Sequence, residues 1–248
     1  KSKFGGKMRS IHAVIFDMDG LVFDSERIAM QGFIRTAKHF GFQMNELMHL
    51  NLTGRVEEDC VAEMQRMYGE DKDVRAWRAY NREQKASIRK AQGGRVGKRP
   101  GLLALLSYLH ERNIPFALAS SSTRQTIDSY LESEYLLHEF TNIVDGSQVE
   151  RGKPDPEIFL KASTLLGVEP EHALVLEDGL AGITAANAGG FVSGFVYDDL
   201  SFAGSVDTGF PILIDLMSVD DVRAVADVSF DTLDDVIGYL EKAHSVRQ

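Results

Sequence analysis

The chain has 248 residues, 44% hydrophobic and 26% charged, an ordinary globular composition that excludes collagen-like, disordered and disulfide-scaffold proteins. Asp plus Glu outnumber Lys plus Arg by 37 to 27, a net charge of −10 that repels phosphate backbones, so no nucleic-acid partner is expected. Cys60 is the single cysteine, so no internal disulfide can form and a reducing compartment is expected.

No apolar run approaches the ~18 residues of a bilayer span. The basic start through Arg9 is followed by only a short apolar stretch, Ile11–Phe16, too short for a signal-peptide core of about 7–15 residues. A cytoplasmic protein without a membrane partner is expected, with Met8 a candidate natural start.

Ile11-His-Ala-Val-Ile-Phe16 is short, apolar and β-branched, which predicts a buried parallel strand running into a turn at Asp17-Met-Asp-Gly20. From about Ser25 to Gln92 the periodicity is helical, as in Ile28, Phe33 and Ala37 and later Cys60, Val61, Met64 and Met67. Gly93-Gly94-Arg95-Val96-Gly97 reads as a hinge. Beyond Pro100, helices at Leu102–Leu109, Thr123–Leu131, Pro156–Leu166 and Ala181–Ala188 alternate with strands at Pro115–Ala119, Ile143–Val144, Ala173–Leu176 and Phe191–Val196. Ile212–Asp215 is a candidate strand and Ser218–Ala226 a short helix; Val228–Phe230 and Leu233–Lys242 close the chain as strand and helix.

Strands separated by single helices imply an α/β fold with a doubly wound, Rossmann-like parallel sheet, whose site lies at the carboxyl ends of the strands. The expected layout is a core of residues 8–23 and 98–248 interrupted by an all-helical insert, residues 24–97, of ordinary domain size.

Four polar clusters follow predicted strands and so converge on one sheet edge: Asp17/Asp19, Ser120-Ser121-Ser122, Gly152-Lys153-Pro154 and Glu177-Asp178. Asp17 and Asp19, two apart, can point the same way. With Asp178 near them they favour a hard divalent cation, and an all-oxygen ligand set suits Mg²⁺. Ser120 to Ser122 can offer hydroxyls and N–H groups to a phosphate at the start of the next helix, or serve as an ordinary helix cap. Lys153, held between Gly and Pro, suits a fixed charge on phosphate oxygens; the alternative is an exposed loop lysine. Asp178 before Gly179 has a capping alternative of its own.

Cys60 lies on an apolar helical stripe and is assigned to the core. The seven histidines show no metal-ligand spacing. Trp77, with Arg75, Arg78 and Arg82 around it and Glu70, Asp71, Asp73 and Glu83 nearby, reads as part of a solvated helix face.

These residues resemble the haloacid dehalogenase superfamily, in its phosphatase branch with a helical cap inserted after the first motif. The motifs stand as Phe16-Asp-Met-Asp-Gly-Leu-Val-Phe-Asp-Ser-Glu26, Leu118-Ala-Ser120, Gly152-Lys-Pro-Asp-Pro-Glu-Ile-Phe159 and Leu176-Glu-Asp-Gly-Leu-Ala-Gly182. The resemblance implies Asp17 as nucleophile, Asp19 as general acid and base, Ser120 and Ser121 as phosphoryl and substrate contacts, and Lys153 bridging phosphate and Asp17. It implies Mg²⁺ held by Asp17, the Asp19 backbone carbonyl and Asp178, with Glu177 as a direct or outer ligand. The implied substrate is a small phosphate ester; a monomer is expected by default.

The cap's substrate loop by alignment is Leu52-Thr-Gly-Arg-Val-Glu-Glu-Asp59, with Arg55 the candidate to read a substrate hydroxyl or carboxylate. Glu57, Glu58 and Asp59 make that loop acidic, which suits neutral hydroxyls better than a second phosphate. A phosphosugar mutase of the beta-phosphoglucomutase type is the alternative. Such mutases carry a histidine where this chain has Ala29 and an arginine where it has Glu57. A phosphonatase would need a cap lysine, and none occurs between Lys38 and Lys72. Gly179 replaces the Ser or Thr common in the fourth motif.

Overall fold

The computed structural model describes residues 9–200 and 218–245. Its first strand, β1 (Ala13–Phe16), is buried along its whole length. Such a strand is apolar throughout because both its faces are covered. Val14 and Phe16 point into one apolar cluster, Ala13 and Ile15 into another on the opposite face.

β1 pairs in parallel with β2 (Phe116–Ala119) on one side and β4 (Ala173–Glu177) on the other. With β3 (Ile143–Val144), β5 (Val192–Val196) and β6 (Val228–Phe230) they form a six-stranded parallel sheet in the order β3-β2-β1-β4-β5-β6. This is the expected doubly wound, Rossmann-like class, and the strand order reverses between β1 and β4, where such sheets place their ligands.

Of the five helices between β1 and β2, four form the insert: α1 (Ser25–Phe40), α2 (Glu46–Leu50), α3 (Glu57–Tyr68) and α4 (Val74–Ala91). They enclose their own apolar cluster, which holds Phe33, Phe42, Met64 and, as expected, Cys60. Trp77 corrects the expectation of a solvated face. It is buried and stacks on Phe42 with ring centroids 4.0 Å apart. The physical reason is the α4 stripe Val74, Trp77, Asn81, Ile88, whose helical spacing turns inward while the neighbouring arginines flank it.

Two connections join the helical insert to the sheet, and they hydrogen-bond to each other: Asp24 N donates to Gly97 O and Arg99 N to Val22 O, both at 3.0 Å. Glu134 clasps the second connection. Its buried carboxylate accepts from Val96 N at 3.2 Å and Gly97 N at 2.9 Å and pairs with Arg95 and Lys98. It lies at the end of α6 (Arg124–Ser133).

After the insert, α5 (Leu102–Glu111), α7 (Glu157–Leu166) and α8 (Leu180–Ala188) alternate with the strands, as their sequence pattern predicts. The short helix expected at Ser218–Ala226 is α9 (Val219–Val225), and α10 (Leu233–Ser245) follows β6. The candidate strand Ile212–Asp215 lies outside the described residues.

Candidate active site

The parallel register brings the expected clusters together. Phe16 pairs with Leu176, and Asp17 N donates to Leu176 O at 3.0 Å, so Asp17 emerges beside Glu177. Lys153 reaches between them from the loop before α7, donating to Asp17 Oδ1 and, at 2.6 Å, to Glu177 Oε1. Its side chain is 1% exposed, which excludes the loop-lysine alternative. Burial alone would pull the Lys153 ammonium pKa down; the charges of Asp17 and Glu177 more than offset it and hold it above the usual lysine range.

Oxygens of Asp17, Glu177 and Asp178 lie within 4.8 Å of one another, all three residues buried. Asp178 does not cap α8; the cap residue is Gly179, with no side-chain bond. Instead, Asp178 Oδ1 is buried with no hydrogen-bond partner. Burial, then Glu26, Glu177 and Asp17, push the Asp178 carboxyl well above the usual range. Burial and Glu177 do the same to Asp17 against the pull of Lys153. An orphaned carboxylate oxygen in an all-oxygen cluster is a fit for a hard divalent cation.

Two glycines make room for the cluster. A Cβ on Gly20, whose φ is +76°, would meet Asp178 Oδ2 at 1.8 Å, and one on Gly182 would meet Glu177 Oε1 at 1.8 Å.

Asp19 is not a member of that carboxylate cluster. Its carboxylate accepts from Ser25 Oγ at 2.9 Å and from Ser122 Oγ at 3.1 Å, tying the first motif to the loop after β2. Burial, then Glu26, raises its pKa, against the hydrogen bond from Ser25. A raised pKa is the direction that suits a carboxyl giving its proton to a leaving oxygen.

Thr123, not a serine, caps α6. Ser120 is buried, and its Oγ accepts from Ser122 N at 3.1 Å; Ser121 is exposed at the cavity wall.

Asp17, Asp19 and Ser120 to Ser122 open onto a cavity of about 700 Å³ between the sheet edge and the helical insert. Arg55 lines it and anchors Nε on Asn51 O at 2.7 Å. Sequence reasoning missed several other lining residues. Glu26 and His49 bond side chain to side chain, a pair that no spacing rule connects. Arg78, Arg82, Lys85 and Arg89 form one face of α4, and of these the sequence reading assigns Arg78 and Arg82 to a solvated face. The acidic loop also differs from expectation. Glu57 is shared by Arg78 at 2.5 Å and Arg82 at 2.8 Å, and Glu58 pairs with Arg75 at 2.6 Å, because α4 runs alongside α3 and meets these acids with its arginines.

The sequence matches the family model of haloacid dehalogenase-like hydrolases over residues 14–196. It is 29% identical over 180 residues to a phosphorylated carbohydrates phosphatase of Thermotoga maritima, covering 73% of this chain and 82% of that protein. It is also 29% identical over 228 residues to beta-phosphoglucomutase of Bacillus subtilis, covering 89% and 93% of the two. The crystal structure of a HAD family hydrolase from Deinococcus radiodurans, with bound phosphate and sodium, superposes with a TM-score of 0.71 at 22% identity, covering 95% of this chain and 97% of that one.

The chain therefore belongs to the haloacid dehalogenase-like hydrolase family. The enzyme class expected from its motifs, a phosphatase of that family, is borne out by these matches. Among the described residues no helix is long and apolar enough to cross a membrane.

Proposed function

We propose that the protein is a Mg²⁺-dependent phosphatase that hydrolyses a small phosphomonoester, a sugar or polyol phosphate, through an aspartyl-phosphate on Asp17. The observation that carries this reading is the pairing of Lys153 with Asp17 at the sheet edge, while Asp19 faces the same cavity from the grip of Ser25 and Ser122. The Thermotoga maritima relative, named for phosphorylated carbohydrates, supports the substrate class.

In this reading the Asp17 carboxylate attacks phosphorus as the P–O bond to the leaving group breaks. Asp19 gives its proton to the departing alkoxide. The Asp19 carboxylate then takes a proton from water, whose oxygen attacks the phosphorus of the aspartyl-phosphate and frees inorganic phosphate. Proton transfers of this kind contribute about 10²–10⁴-fold. Lys153 holds Asp17 in place and offers positive charge to the transferring oxygens; Ser120 and Ser121 offer them hydroxyl and N–H donors. Asp17, Asp178 and the Asp19 backbone carbonyl, with Glu177 as direct or outer ligand, would hold Mg²⁺. When bound, the ion supplies charge neutralisation for the nucleophile and the phosphoryl oxygens. The helical insert, residues 24–97, acts as a cap that excludes bulk water and selects the leaving group, with Arg55 among its contacts.

Phosphate release from a panel of sugar, polyol and nucleotide monophosphates tests the proposal, with and without Mg²⁺ and with Asp17→Asn beside the wild type. Mg²⁺-dependent release abolished by the substitution is expected. Interconversion of hexose phosphates without phosphate release would replace the proposal with the mutase reading. Ala29 and the Arg78–Glu57–Arg82 arrangement speak against that reading. Absence of both chemistries would leave a binding protein.

A further inference from the structure

We propose that the helical insert closes on the catalytic loops through a seat made by shape alone, Val56 on Gly152 and Thr53 on Gly179, and that Gly152 is a positioning residue for the reaction. This rests on the phosphatase reading above and names the contact that registers its cap.

The segment Leu52-Thr-Gly-Arg-Val56 lies between α2 and α3 and is tied to the insert along its length. Thr53 N and Thr53 Oγ1 each donate to His49 O at 3.1 Å, and Arg55 Nε donates to Asn51 O at 2.7 Å. Cys60 N donates to Val56 O at 3.0 Å, and the next residue, Glu57, is clamped by Arg78 and Arg82. Among the described residues, no hydrogen bond joins residues 52–56 to the core.

The core loop opposite is equally fixed. The Glu157 carboxylate accepts from Glu150 N at 3.1 Å and from Arg151 N at 3.0 Å, and Asp155 N donates to Gly152 O at 3.0 Å. Lys153 follows Gly152 directly, with its ammonium on Asp17 and Glu177.

The two segments meet where the core has no side chain. A Cβ on Gly152 would lie 2.6 Å from Val56 Cγ1, and one on Gly179, next to Asp178, would lie 3.0 Å from Thr53 Cγ2 and 3.2 Å from Thr53 O. Gly54 lies over the start of α8, where its own Cβ would sit 3.6 Å from that of Ala181. The insert is held to the core by polar bonds elsewhere, as from Tyr197 Oη to Glu46 at 2.7 Å and from Arg89 to Ser129 Oγ at 3.1 Å. A cap needs one face that touches without being tied. This seat covers the loops of the buried Lys153 and Asp178 and has no hydrogen bond to break on opening.

Gly152 carries the test because its φ lies outside the left-handed region, so alanine there meets no backbone strain. Both atoms within 4 Å of the added Cβ belong to Val56, whose branched side chain is stiff. Gly152→Ala therefore presses the insert off the core, and Val56→Ala removes the obstacle.

Wild type, Gly152→Ala, Val56→Ala and the double variant form a cycle with two readouts. The first is kcat/KM for Mg²⁺-dependent phosphate release from the best substrate of the panel. It is expected to fall about tenfold or more in Gly152→Ala, while the double variant stays within about threefold of Val56→Ala. The second is hydrogen exchange without substrate, read by mass spectrometry over residues 179–182. Exchange is expected to rise in Gly152→Ala, as Thr53 and Gly54 lift away, and to return in the double variant to the level of Val56→Ala.

Unchanged exchange in Gly152→Ala overturns the seat, and unchanged kcat/KM overturns the positioning role. A loss that the double variant keeps in full overturns both, since a cost confined to the core would not depend on Val56. A Gly152→Ala chain that folds only beside Val56→Ala supports the contact, and failure of both chains to fold overturns it. If the wild type releases no phosphate, the phosphatase reading falls and the exchange cycle alone decides the seat.

Discussion

Lys153 donates its ammonium to the Asp17 carboxylate across 136 residues of sequence, with 1% of the lysine side chain and 10% of the aspartate side chain exposed. Among the described residues no other basic side chain pairs with Asp17 or Glu177. Lys153→Met therefore leaves two buried carboxylates facing each other. A loss of about 3–5 kcal/mol in stability is expected by denaturant unfolding, the usual cost of stripping one partner from a buried pair. Turnover is expected to fall by roughly 10³-fold or more, as for removal of a preorganised charge at the reacting centre.

Asp19 makes a prediction that depends on the leaving group. Asp19→Asn removes the proton donor, so kcat on an alkyl phosphate is expected to fall by about 10²–10⁴-fold. The first half-reaction with p-nitrophenyl phosphate, read as the burst of nitrophenolate, is expected to fall far less because that phenolate departs without a proton. Equal losses on both would remove the acid role.

Asp178 links pH, metal and stability. Its pKa and that of Asp17 are raised in the folded protein, so above the unfolded value near 3.9 the folded state binds more protons than the unfolded state. The contribution of these groups to metal-free stability therefore falls as pH rises through the folded pKa values. Mg²⁺ binding needs the ionised carboxylates, so its stabilisation runs the other way. The rise in Tm on adding Mg²⁺ is expected to be larger at pH 7.5 than at pH 5. Asp178→Asn is expected to raise the metal-free Tm by a few degrees and to abolish the Mg²⁺ response, a trade of function for stability.

Glu134 makes the opposite titration. Burial would raise its pKa, but the bonds from Arg95, Gly97 N–H and Lys98 bring it down to about 2. A carboxylate lowered in the folded state stabilises above its unfolded pKa and loses that contribution as pH falls toward the folded value. Glu134→Gln is expected to cost roughly 2–3 kcal/mol at pH 7 and much less near pH 2, measured by denaturant unfolding at both. A cost independent of pH would show that packing, not charge, holds this connection.

Much of this architecture is legible in the sequence because a buried parallel strand has little choice of residues. Ala-Val-Ile-Phe and Ala-Leu-Val-Leu declare β1 and β4, and the polar residues directly after them mark the sheet edge. The conformation of Gly20 and the contact of Gly182 with Glu177 explain why those motifs carry glycine there.

The cavity wall was harder to read. Glu26 and His49 are 23 residues apart on different helices, and only the packing of the insert brings them together. Trp77 and its arginines share a segment in which the apolar and charged stripes are one residue out of phase, so composition alone gives the wrong face. The acidity of Glu57 and Glu58 was plain in the sequence, but its cancellation by α4 depends on the pairing of two helices.

The measurement that bears most directly on the proposed mechanism is rapid quench of the Mg²⁺-loaded enzyme during turnover of a small phosphomonoester, followed by peptide mass spectrometry. The expected result is a phosphoryl group on the peptide containing Asp17, formed and lost at rates that account for phosphate release, and absent in Asp17→Asn. Phosphate release that continues undiminished in Asp17→Asn, with no phosphorylated peptide at any time point, would contradict it.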